Sequence, residues 1–138
     1  MSIHFEWTKE ISVDNEVIDG QHKRLLDQIN KILDEIVSGV DHVKVKEAIE
    51  FLDKYIQEHF TYEENYMMSI NYPHLEEHKK FHYEFIQKYY KFKEDFKTGV
   101  DNKALLVEIE GYIGNWWLNH IGKEDKKYKL FLEANKIK

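Results

Sequence analysis

The chain has 138 residues, no cysteine, and 20 Lys and Arg against 26 Asp and Glu, for a formal charge of −6. That length can bury a core without covalent staples, and the missing cysteines exclude disulfides, thiolate metal sites and cysteine nucleophiles. Interleaved charges of net negative sign argue against nucleic acid as a partner, and the lack of a long apolar run or a basic, apolar N-terminus predicts no membrane span and a cytoplasmic location.

Residues 1–18 carry no helical period. Phe5, Trp7, Ile11 and Val13 are spaced as an extended arm laid over apolar surface. A first helix is expected over 19–38, capped by Asp19 and ended by Ser38-Gly39, with His22, Leu25, Leu26, Ile29, Ile32, Leu33 and Ile36 on one stripe. The second, 41–69, turns Val45, Ile49, Leu52, Ile56, His59, Glu63 and Met67 inward. Glu63 is the anomaly there, because a buried carboxylate costs several kcal/mol unless it is paired or bound to metal.

The third helix is expected over 73–98. Pro73 suits its first position, where a missing N–H costs nothing, and Leu75, His78, His82, Phe85, Tyr89, Phe92 and Phe96 follow in steps of three and four. The fourth, 102–121, carries Leu105, Ile109, Ile113, Trp116 and His120. Gly122 interrupts it, and 123–135 form a short final helix with Tyr128, Phe131 and Leu132 inward. Four amphipathic helices on short turns predict an all-α, up-down-up-down antiparallel four-helix bundle, one domain over 1–138, with crossing angles of about 20°.

Two ligand pairs stand out: His59 with Glu63 and His78 with His82, each spaced i, i+4 and so on one helix face. In that topology His22 and His120 reach the same end of the bundle. His120 and Asp125 are five apart, about 140° around a regular helix, and share a face only if the chain bulges near Gly122. Five inward histidines need partners for ten ring nitrogens, which a metal supplies at once. Five imidazoles and two carboxylates are too many for one tetrahedral zinc. They suit two octahedral ions bridged by both carboxylates, iron before zinc, copper or manganese. His74 shares the i+4 series with His78 and His82, but it sits about 80° around from His82 and is expected at the surface.

The chain resembles the hemerythrin family, in particular the bacterial single-domain members. The resemblance rests on Phe5-x-Trp7, IDGQHKRL around His22, HFTYEENYM from His59, YPHLEEHKKFH through His82 and WWLNHIGKED through Asp125. It implies a non-haem centre of two irons joined by an oxo or hydroxo group. One iron takes His78, His82 and His120, the other takes His22 and His59 and stays open, and Glu63 and Asp125 bridge. It further implies reversible dioxygen binding, for storage, delivery or sensing, without enzymatic turnover. The alternatives are a redox enzyme, as a peroxidase or a nitric-oxide or peroxide scavenger, and an iron store. Leu25, Met67, Trp116 and Ile121 are expected to wall the site. The charged, mixed outer faces favour a monomer, with an oxygen-consuming or redox protein as a further partner.

Overall fold

The computed structural model describes residues 5–39 and 42–135. Arm residues 1–4, the expected helix start at Asp41 and residues 136–138 lie outside the described residues. Three long helices, α1 Glu16–Ser38, α2 His42–Ser69 and α3 Leu75–Lys97, are followed by a fourth rod, residues 102–135. That rod joins α4 Asn102–Glu108, α5 Asn115–Asn119 and α6 Lys126–Asn135 through two wide turns of π-helix, Ile109–Gly114 and His120–Asp125. Among the described residues there is no strand. The first helix packs on the second and on the fourth rod, and α3 packs on both of these from the other side. The result is the antiparallel four-helix bundle that the stripes predict, with α6 as its C-terminal helix.

The ends of the helices follow local chemistry. Helix α1 starts three residues before the expected position. Asn15 is its cap, its side chain accepting the Ile18 N–H at 3.1 Å. Asp19 is engaged elsewhere: its carboxylate accepts the Ser12 hydroxyl at 2.6 Å and the Val13 N–H at 2.9 Å, tying the arm to the helix. Gly39, at φ 67°, ends α1 in the left-handed conformation expected of it. Helix α3 begins at Leu75, two residues later than expected, with Pro73 and His74 in the turn before it. Asp101 caps α4 by accepting the Ala104 N–H at 2.9 Å.

The arm is partly extended, with a 3-10 turn at Lys9–Ile11. Asn30 pins it by two hydrogen bonds, accepting the Phe5 N–H and donating to the Phe5 carbonyl, both at 2.8 Å. The Phe5 ring lies on Gly114, where any Cβ would overlap it. A glycine inside a helix costs roughly 1 kcal/mol; here it makes the seat for the arm.

Two apolar layers fill the interior. The larger runs from Leu105, Phe96 and Ile36 at one end to Leu25, Phe60, Phe85 and Ile121. The smaller, Val13, Ile18, Met67, Tyr72 and Tyr128, closes the end that holds the α2–α3 turn. Between them lies a polar layer one or two helical turns thick.

Candidate metal centre

Every rod contributes to that layer. His22 comes from α1, His59 and Glu63 from α2, His78 and His82 from α3, and His120 and Asp125 from the second wide turn. Each replaces an apolar residue in an otherwise regular stripe, so the packing that buries Leu25 or Ile56 buries them too. None is more than 3% exposed. The structure therefore brings together all seven side chains named from the sequence. His74 stays apart, its side chain 60% exposed and its ring 3.3 Å from Glu77.

The wide turn at His120–Asp125 explains how residues five apart share a face. A π turn closes i to i+5, and here it brings His120 Nε2 within 2.9 Å of Asp125 Oδ1. The rod passes through Gly122 without the break expected there, the flanking residues keeping helical dihedrals. The first wide turn, Ile109–Gly114, has a similar effect on packing. It advances the buried face by one residue, so Trp117 is fully buried and the expected Trp116 only partly.

The ligand atoms form two overlapping groups: His78, His82 and His120 with both carboxylates, and His22 and His59 with the same two. Each carboxylate divides its oxygens between them. Glu63 Oε1 lies 2.9 Å from His82 Nε2 and 3.3 Å from His78 Nε2, while Oε2 lies 3.5 Å from His22 Nε2 and 3.7 Å from His59 Nε2. Asp125 Oδ1 lies 2.8 Å from His78 Nε2 and 2.9 Å from His120 Nε2, and Oδ2 lies 3.0 Å from His22 Nε2. Despite these separations, both Asp125 oxygens and the Nε2 atoms of His22 and His59 have no well-aligned hydrogen bond among the described residues. They converge without pairing, as atoms aimed at a shared cation do. Hard oxygen and imidazole donors fit a divalent or trivalent first-row metal.

Charges on the side chains tell the same story. Burial opposes ionisation of Glu63, yet its contacts with His22, His78 and His82 hold its carboxyl well below the usual range. Asp125 is likewise held down, His120 and His22 outweighing burial and the Glu63 charge. Burial disfavours the His22 and His78 cations, but Asp125 and Glu63 push them up to about 9 and about 10. Burial dominates at His59, drawn down to about 3, and lowers His120. Burial also disfavours the His82 cation, but Glu63 and Glu64 raise it. The buried negative charges thus draw protons onto the imidazoles, and a metal can replace those protons.

Several contacts around the cluster have no sequence signature. His59 Nδ1 meets Gln21 Oε1 at 2.6 Å, and His82 Nδ1 meets Glu64 Oε2 at 2.8 Å. Tyr128 donates its hydroxyl proton to Glu63 Oε2 at 2.9 Å. Phe60 stacks on the His82 ring at 3.8 Å and 9°, Trp116 stacks on His120 at 4.4 Å and 11°, and Trp117 stands 5.7 Å from His59. Adjacency to His22 and Glu63 is the only hint the sequence offers for Gln21 and Glu64.

Comparison with known proteins adds a second line. Residues 13–132 match the family model described as hemerythrin HHE cation binding domain. A bacteriohemerythrin of Pseudomonas paraeruginosa is 34% identical over 125 residues, covering 91% of this chain and 79% of its own. A myohemerythrin of Theromyzon tessulatum is 31% identical over 125 residues, covering 91% of each chain. A solved structure of a hemerythrin point mutant superposes with a TM-score of 0.80 at 27% identity, over 97% of this chain and 100% of that one.

Proposed function

This chain belongs to the hemerythrin family, and from that premise we propose that it binds dioxygen reversibly at a non-haem di-iron centre. His78, His82 and His120 would hold one iron and His22 and His59 the other, with Glu63 and Asp125 offering an oxygen to each. The observation that carries this reading is the division of each carboxylate, one oxygen toward three imidazoles and the other toward two. A single ion does not call for such a split. When bound, the two irons supply the electrons that dioxygen takes up on binding and returns on release.

The protein's own residues set the conditions for reversibility. His22 and His59 offer one imidazole fewer than the other group, which leaves room for an exogenous ligand on that side. Neutral imidazoles place less negative charge on the metals than a carboxylate-rich set, so the chemistry favours binding over oxidation of a substrate. Leu25, Met67 and Ile121 are fully buried, Trp116 stacks on His120 as a wall residue, and Trp117 joins them 5.7 Å from His59, so that together they keep water and protons away. Cytoplasmic storage, delivery or sensing of oxygen by a monomer is the role that follows. Among the described residues no helix is long and apolar enough to cross a membrane.

The test is iron content followed by optical spectroscopy of the reduced protein. About two irons per chain are expected, with a visible band that appears with oxygen and vanishes on its removal. One zinc per chain in native material, or bleaching by oxygen that no deoxygenation reverses, would sink the proposal.

A further inference from the structure

The outer nitrogens of the histidines treat the two metal positions unequally. In the three-histidine group, His82 Nδ1 faces the carboxylate of Glu64 at 2.8 Å. In the two-histidine group, His59 Nδ1 faces the neutral side-chain carbonyl of Gln21 at 2.6 Å. The Nδ1 atoms of His22 and His120 have no hydrogen-bond partner among the described residues. A carboxylate behind an imidazole raises its basicity and its donation to a metal, and a neutral amide does so far less. Tyr128 acts from the opposite side. Its hydroxyl donates to Glu63 Oε2, the oxygen turned toward His22 and His59, and draws electron density from it. Glu63 Oε1, turned toward His82 and His78, is spared that contact.

We infer that Glu64 sets the order in which the centre is oxidised. The ion held by His78, His82 and His120 loses its electron first, and the open ion held by His22 and His59 stays ferrous. The inference rests on the di-iron reading. Each oxidation passes one electron from one iron to a one-electron acceptor, either a soluble mediator or a redox protein. That iron becomes ferric and the acceptor is reduced by one electron. The third imidazole pulls in the same direction, so the share of Glu64 is read by difference. The half-oxidised chain then keeps its ferrous ion at the position with room for a ligand.

The test uses the full-length, iron-loaded chain. Iron is counted first, and the two one-electron couples are then followed by spectroelectrochemical titration with soluble mediators. In Glu64→Gln the lower couple is expected to rise by roughly tenfold in its equilibrium constant, about 59 mV for one electron, and Glu64→Asp to restore it. In Gln21→Glu the upper couple is expected to fall by a similar amount. Glu64→Gln with two irons and an unmoved lower couple overturns the inference, as does Gln21→Glu with an upper couple that stays or rises. A wild-type chain that takes up no iron pair overturns the di-iron reading itself, a result told apart by the iron count alone.

Discussion

The two ends of the bundle line the same helix faces with opposite chemistry. At the end away from the α2–α3 turn, Leu33, Ile36, Val45, Ile49, Phe92, Phe96 and Leu105 fill the interior. The Tyr89 hydroxyl donates to the Ile49 carbonyl there, at 2.7 Å. Toward the other end, beneath the small apolar cap of Val13, Ile18, Met67, Tyr72 and Tyr128, one or two turns of each rod exchange these residues for five imidazoles and two carboxylates. The apolar end holds itself together, since burying each large side chain contributes about 1.5–3 kcal/mol. The polar end does not, because each uncompensated buried charge costs several kcal/mol. One end therefore folds the bundle, and the other is held in place by it and by whatever cation it binds.

Removing the proposed bridge should break the polar end most completely. Glu63→Ala deletes the group shared by both histidine sets, and iron content should fall from about two per chain to near zero. Circular dichroism should still report a helical bundle, supported from the apolar end. Retention of two irons would show that Glu63 does not bridge.

A paired comparison measures the dependence of each end on metal. Chelation should lower the melting temperature of the wild-type chain by about 10 °C or more, as the carboxylates lose their compensation. Leu33→Ala, in the apolar end, should cost about 2–5 kcal/mol with and without metal and leave the iron count unchanged. Equal melting temperatures for the loaded and chelated protein would erase the distinction between the two ends.

Acidity offers a gentler probe. Contacts with Asp125 and Glu63 outweigh burial and raise His22 to about 9 and His78 to about 10, above the ordinary histidine value of 6.5. In the chelated protein these protons stabilise the fold fully below pH 6.5. That contribution is lost as pH rises through 9 and 10, so the chelated chain should melt progressively lower from pH 7 to pH 10. The loaded chain, whose ligating imidazoles carry no such protons, should not. Loading at pH 7 should release protons from His22 and His78, and from His82, which Glu63 and Glu64 also raise, measurable in weak buffer. The smallest effect is expected at His74, whose ring lies on the surface. His74→Ala should keep its iron and its spectrum, and loss of either would place α3 one turn out of register.

Asp125 lies off the helical period and joins the cluster only through the wide turn after His120. The convergence of the other six side chains was legible because each interrupts an apolar stripe at helical spacing. The start of α1 was not. Asn15 and Asp19 are equally good caps in isolation, and the choice follows from the arm, which turns at Asp14 with φ 56° and claims the Asp19 carboxylate. The burial of Trp117 was hidden by the turn at Ile109–Gly114, whose extra residue follows no hydrophobic period, and Phe5 packs against its Gly114 from across the fold. Gln21 and Glu64 follow no period at all. Which ring nitrogen each meets is set by how neighbouring rods lie together, a relation no single stretch of sequence encodes.

The wide turn at His120–Asp125 acts on everything that follows it. It holds one residue more than an α-helix would over the same rise, so the last ten residues of the rod are out of phase with the preceding ones by about 100°. Were the turn to relax to an ordinary α-helix with all its residues kept, Asp125, Tyr128 and Phe131 would swing together by about 100° around the axis. Deleting one residue inside it would instead leave the aspartate four positions after His120, about 40° around and still on the same face. A side chain at position 122 would meet Ile11 only at 3.4 Å, an ordinary contact. What descendants of this chain must inherit there is a match between residue count and helix form: five positions through a wide turn, or four through an ordinary one.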